Sequence, residues 1–151
     1  MSGDTTPSSE EALPPASSGG PLADFSARCD AIEEAYEFML AYAAQGLPNE
    51  TGSVSGSQIR DFLRNCDAAL TGLAGALTNC VPRLDTHSAA PYHAFISVVE
   101  HDVRRAQAAV QLVLAQPSIG SQLVDNLNAS IHLRALLTDL FLLDAVLKSQ
   151  A

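Results

Sequence analysis

The sequence predicts an all-α protein, a four-helix bundle of up-down-up-down topology preceded by a disordered N-terminal tail. Apolar residues recur at alternating steps of three and four through most of the chain, which is the spacing of helices buried on one side. No segment shows the strict alternation of apolar and polar residues that predicts a β-strand. The segments between the helical stretches are short, which favours antiparallel neighbours.

Residues 1–22 form the predicted tail, and residues 23–151 form the predicted bundle. The tail consists mainly of Ser, Thr, Pro, Gly, Asp and Glu. It therefore has almost no apolar surface to offset the conformational entropy that ordering would cost. The whole chain has 151 residues, of which 47% are hydrophobic, and this is enough to build one core.

The first predicted helix spans residues 24–45. Its apolar stripe runs from Phe25 to Ala43 with helical spacing. Gly46 is a suitable residue to end the helix, and Pro48 follows it.

The second predicted helix spans residues 57–80 and is ended by Pro82. It contains Gly72 and Gly75, each of which costs ~1 kcal/mol inside a helix. We therefore expect a close approach of another helix at these glycines. A small apolar ligand held between the helices at the same place is the alternative.

The third and fourth predicted helices complete the bundle. The third spans residues 91–115, with Pro91 in its first turn and Pro117 beyond its end. The fourth spans residues 118–148, with Ser118 as its N-cap.

The second half of the fourth predicted helix, residues 133–147, is apolar around more than one face. Leucines at core spacing form the face that fills the bundle core. Leu137, Phe141 and Leu142 lie beside that face and extend the apolar surface to the side. This surplus predicts either that the bundle wraps this helix closely or that a second chain covers it at an interface.

The composition disfavours several classes of partner. The chain has 8 Lys and Arg against 17 Asp and Glu, a net charge of −9, so it repels phosphate backbones and anionic membranes. No apolar run reaches the ~20 residues that span a bilayer, and the N-terminus lacks a secretory signal.

The widely spaced Cys29, Cys66 and Cys80 are typical of reduced thiols. We expect a cytoplasmic protein without nucleic-acid or membrane partners.

Metal and cofactor sites are not indicated. The four histidines are scattered along the chain, and none has a partner at the spacing of a di-iron, zinc or haem site. Nucleotide-binding loops and the serine-hydrolase motif are likewise missing from the sequence. We expect no cofactor and no bound metal, and enzymatic activity is not indicated.

His101 is the candidate catalytic residue of the sequence. It lies between residues of the buried stripe and is predicted to face solvent, where a neutral imidazole can act as a nucleophile. Asp102 could take up the ring proton, and Arg104 and Arg105 could attract a phosphoryl oxygen. The alternative is a surface histidine within a network of charged neighbours.

The letters H-D-V-R-R-A from His101 resemble the H-box of the dimerisation and phosphotransfer domain of histidine kinases, H-E-[LI]-R-[TN]-P. Residues 138–144 are similar to the N-D-L-L-D-L-S that often closes that domain. The resemblance implies that His101 accepts the phosphoryl group, that Asp102 is its acid/base residue, and that the hairpin dimerises. Arg105 and Ala106 depart from the family's Thr/Asn and Pro. Since no ATP-binding domain is evident, the resemblance implies a protein that relays a phosphoryl group between response regulators, acts on a receiver domain, or is a degenerate mimic that only docks.

Three functions follow as expectations. The first is a non-enzymatic interaction protein that binds another protein and modulates its assembly or activity, with a homodimer through the fourth predicted helix as one form. The alternative is phosphotransfer through His101. The second alternative is a bundle that binds a small ligand.

Overall fold

The computed structural model describes residues 19–83 and 89–149, and within these ranges every regular element is helical. This confirms the all-α prediction. Residues 1–18 of the predicted tail, and His87, lie outside the described residues. The described elements are, in chain order, α1 Gly20–Ala44, α2 Val54–Leu70, α3 Leu73–Cys80, a 3-10 turn Val81–Arg83, α4 Ala90–Leu114, α5 Ser121–Ala129 and α6 Ile131–Lys148.

The second predicted helix is two helices, α2 and α3, because the chain changes direction between them. Thr71 is extended, with ψ 114°, and Gly72 has φ 82°, the left-handed region that favours glycine. The predicted close approach at the two glycines is wrong. A Cβ at Gly75 would meet nothing within 4 Å, and one at Gly72 would come no closer than 3.8 Å to Arg28 Nη2. The glycine at 72 serves the backbone turn and not helix packing.

The fourth predicted helix is also two helices, α5 and α6. Ser130 breaks it with ψ 129°, and its hydroxyl accepts a hydrogen bond from the His132 backbone N–H at 3.3 Å. The helix begins at Ser121 and not at Ser118, so Ser118 is not its cap. Within the described residues the fold is therefore six helices, and the four-helix topology is not confirmed.

Hydrogen bonds of Tyr42 and Ser121 connect the loop after α1 with the loop before α5. The Tyr42 hydroxyl donates to the Ile119 carbonyl at 2.6 Å, and the Ser121 hydroxyl donates to the Tyr42 carbonyl at 2.6 Å. The Leu47 backbone N–H donates to Ser121 Oγ at 2.8 Å. Gly120 passes so close to this loop that a Cβ there would lie 2.7 Å from the Pro48 carbonyl oxygen. These contacts join the end of α1 to the start of α5.

The helices pack around one core. α1 lies against α2, α3 and α5, whereas α4 lies against α2, α3 and α6. The largest fully buried side chains come from both groups and from the α4–α5 loop: Tyr42, Ile32, Met39, Ile59, Leu63, Leu70, Leu73, Ile119, Leu133, Leu136, Val99 and Val110. Among the described residues α6 packs mainly on α4, so parts of its outer surface and of its side towards α1 are exposed.

Candidate functional site: the α4–α6 face

Exposed apolar side chains lie on both α4 and α6, which pack against each other. Val98 on α4 is 45% exposed, and Phe141 and Leu142 on α6 are 58% and 53% exposed. We call these three residues, with the groove beside Leu142, the α4–α6 face. Exposed apolar side chains are normal when single, but neighbouring ones beside a groove mark an interaction surface.

The groove has a volume of about 290 Å³. It opens between α3, the 3-10 turn, α4 and α6, and none of the described residues that line it is charged. Its floor comes from buried core residues, and its rim comes from half-buried or exposed ones. The lining residues are Leu77, Val81, Pro91, Tyr92, Phe95, Ile96, Leu142, Leu143 and Val146.

Of the predicted interface residues, the structure places two on the surface. Phe141 and Leu142 are exposed as expected, but Leu137 is only 4% exposed and belongs to the core. α6 packs against α5 as well as α4, so a wider arc of the helix is covered than a single stripe predicts. The exposed apolar side chains therefore lie on α4 as well as on α6.

Two of the three predicted catalytic residues have other partners in the structure. His101 is exposed on α4 as predicted. The Arg104 guanidinium donates to Glu100 Oε1 at 2.8 Å, and the carboxyl of Asp102 interacts with that of Asp139 on α6. Asp102 and Arg104 therefore each engage another residue.

The Asp102–Asp139 pair joins α4 to α6. Burial, together with the neighbouring carboxyl of Asp102, raises the pKa of Asp139 to about 7. A hydrogen bond between two carboxyl groups needs a proton on one of them, and the half-buried Asp139 retains it more readily. Its Oδ2 atom is buried and has no hydrogen-bond partner among the described residues. Sequence reasoning missed this pair because its members are distant along the chain.

Within the described ranges, no three His, Cys, Asp or Glu side chains come together as a metal-ligand set. None of the helices described has the length and apolar character needed to cross a membrane.

The hollow beside Gly72 and Gly75 is shallow and mixed in character. It has a volume of about 300 Å³ and is bounded by charged or polar side chains of α4, including Glu100, Arg104 and Gln107. It lies at the α3–α4 surface and not between buried helices. The geometry therefore favours the apolar groove over this hollow as a binding site.

Comparisons with protein-family models, with curated proteins and with solved structures find no match for this chain.

Proposed function

We propose that this protein is a non-enzymatic interaction module that binds another protein through the α4–α6 face and so modulates that protein's assembly or activity. The observation that supports it is the open apolar groove of about 290 Å³ beside the exposed Leu142. Burying a Leu or Phe side chain stabilises a complex by roughly 1.5–3 kcal/mol. Phe141 and Leu142 are therefore suitable anchors within a larger interface.

The shape of the groove favours an amphipathic helix as the occupant. Such helices bind by inserting apolar anchors one or two turns apart into a hydrophobic groove. The groove is lined by apolar residues from helices on both of its sides, so one anchor fits within it while a second packs on Phe141. A second copy of the chain could supply the same kind of anchor through its own α6, and this case is distinguished by mass.

The test compares two exposed leucines. Leu142→Glu places a charge on the face, whereas Leu112→Glu places the same charge on a leucine that is 66% exposed on α4 but does not line the groove. The tagged wild type and both variants are recovered from the native source, and their co-purifying proteins are quantified. We expect a partner that is lost with Leu142→Glu and kept with Leu112→Glu, while circular dichroism shows equal helicity.

Two results separate the alternatives within this test. A complex whose mass by light scattering is twice that of the chain, and which only Leu142→Glu dissociates, identifies a second copy as the occupant. Equal retention of every co-purifying protein by both variants would refute the proposed face.

Phosphotransfer is a second candidate, and the exposure of His101 on α4 favours it. Two contacts count against this candidate function. Asp102 interacts with Asp139, and Arg104 forms an ion pair with Glu100. The decisive assay is incubation with phosphorylated receiver domains. Our proposal expects no label on the protein, whereas label on the wild type that is lost in His101→Gln would establish the relay instead.

A further inference from the structure

A second cavity separates α1 from α6. It is a cleft of about 430 Å³, and it shares no lining residue with the groove of the α4–α6 face. Its inner surface is apolar: Phe25 and Leu140 are core residues at 4% and 2% exposure, and Leu22 and Leu147 flank them.

The rim of the cleft is acidic. Asp30 and Glu33 on α1 and Asp144 on α6 line it, and Lys148 is the only cation among the described residues that line it. Lys148 is bound to Asp144 at 2.9 Å and is largely exposed. One cation therefore faces three carboxylates, which leaves the cleft with a net negative charge.

The acidic, partly buried environment of the cleft raises the pKa values of two of its residues. Burial raises the pKa of Glu33, and the charges of Asp30 and Asp144 raise it further. Burial, assisted by the same carboxylates, raises the pKa of the Cys29 thiol to about 12. Cys29 is thus an uncharged thiol at neutral pH and extends the apolar wall.

We infer that the α1–α6 cleft binds a small amphiphilic cation, an amine or quaternary ammonium compound with an apolar body. The apolar body lies on Phe25, Leu140 and Leu147, and the cationic head lies among the carboxylates of Asp30 and Glu33. The volume of the cleft falls within the range of about 300–1,000 Å³ typical of small-molecule sites. This inference is independent of the proposed protein-binding function, because the two cavities share no residue.

Charge also argues for an external ligand over the chain's own N-terminus. Residues 1–18 contain Asp4, Glu10 and Glu11 and no Lys or Arg. Their side chains would add like charge to an acidic rim, which is unfavourable. An external cation supplies the complementary charge.

The experiment uses two probes of matched shape and opposite charge, 4-phenylbutylamine and 5-phenylpentanoate, titrated into the full chain and followed by calorimetry and NMR. We expect the amine to bind at least about tenfold more tightly than the carboxylate at low salt, with its affinity falling as salt is added. Equal affinities, or no binding of the amine at millimolar concentration, would overturn the inference.

Three variants locate the site. Glu33→Gln removes a rim carboxylate and is expected to weaken amine binding about threefold, whereas Lys148→Met removes the competing cation and is expected to tighten it by a similar factor. Glu34→Gln is the matched control, since Glu34 is exposed on α1 but does not line the cleft. If Glu33→Gln and Lys148→Met leave the affinity of the amine unchanged, the amine does not bind in this cleft.

Discussion

Glu50 and Arg60 form the most connected polar pair among the described residues. Arg60 Nε donates to Glu50 Oε2 at 2.7 Å and its Nη2 donates to Oε1 at 2.8 Å, while the same guanidinium reaches the Leu114 and Gln116 carbonyls at 3.0 and 2.8 Å. The Ile119 backbone N–H donates to Glu50 Oε1 at 2.8 Å. One ion pair therefore fixes the start of α2, the end of α4 and the loop before α5. Sequence reasoning assigned no role to either residue because their partners are mostly backbone atoms distant along the chain.

Glu50→Gln should lower the free energy of unfolding by about 1–3 kcal/mol at pH 7, because it weakens charge-assisted hydrogen bonds that are partly buried. The hydrogen bond from Arg60 lowers the pKa of Glu50. The stabilisation is thus present above the ordinary glutamate pKa of about 4.3 and is lost as the pH falls through the lowered value. Urea unfolding at several pH values should show the difference from wild type shrinking in acid.

The control for this prediction is Asp61→Asn, which breaks an exposed ion pair with Arg64 at 3.5 Å. Exposed pairs contribute about 0–1 kcal/mol. An equal loss of stability in both variants, or a difference for Glu50→Gln that persists at pH 2, would contradict the account of Glu50.

At the scale of helices, the sequence predicted helical segments well and their interruptions poorly. The third predicted helix, 91–115, matches α4 within a residue at each end, and Gly46 does follow α1 with φ 65°. The breaks at Gly72 and Ser130 were missed because the apolar spacing continues across both of them. The spacing of apolar residues indicates which residues face the core, but it does not indicate whether the helix continues without a break.

A pair of alanine substitutions tests the break between α2 and α3. Gly72→Ala should destabilise the protein by about 1 kcal/mol or more, since φ 82° is strained for any residue with a Cβ. Gly75→Ala should stabilise it by about 0.5–1 kcal/mol, because the Cβ meets open space within a helix. Thermal unfolding of both variants measures this. If both variants lose similar stability, the two glycines serve helix packing after all.

The Asp102–Asp139 pair makes the α4–α6 contact sensitive to pH. The raised pKa of Asp139 means that the native state binds this proton more tightly than the unfolded chain does. The contribution of Asp139 to stability therefore falls as the pH rises from about 4 to about 7. Asp139→Asn can still donate to Asp102, and it should stabilise the protein at pH 8 more than at pH 4. A gain of about 1 kcal/mol is expected, because water screens the partly solvated carboxyl.

Chemical unfolding at both pH values measures this difference. Asp125→Asn is the control, since Asp125 is exposed on α5. A gain for Asp139→Asn that is the same at pH 4 and pH 8 would show that Asp139 does not hold a proton in the native state.

For the whole molecule, the sequence indicated the kind of site but not its shape. The surplus of apolar residues near Phe141 and Leu142 correctly predicted exposed apolar side chains on the last helix. The groove could not be predicted, because α3, the 3-10 turn, α4 and α6 all contribute to it. The cleft between α1 and α6 could not be predicted for the same reason, because helices distant along the chain form it. In the sequence Glu33 has the pattern of an ordinary surface acid, and only the packing of the helices places Asp144 near it.

The central claim is that the α4–α6 face contacts another protein, and site-specific photo-crosslinking in the native source tests it most directly. A benzophenone amino acid replaces Phe141 in one variant and Leu112 in the other, both of which are exposed. We expect irradiation to give a discrete higher-mass adduct from position 141 and none from position 112, and Leu142→Glu should abolish it. No adduct from position 141, or the same adducts from both positions, would contradict the account.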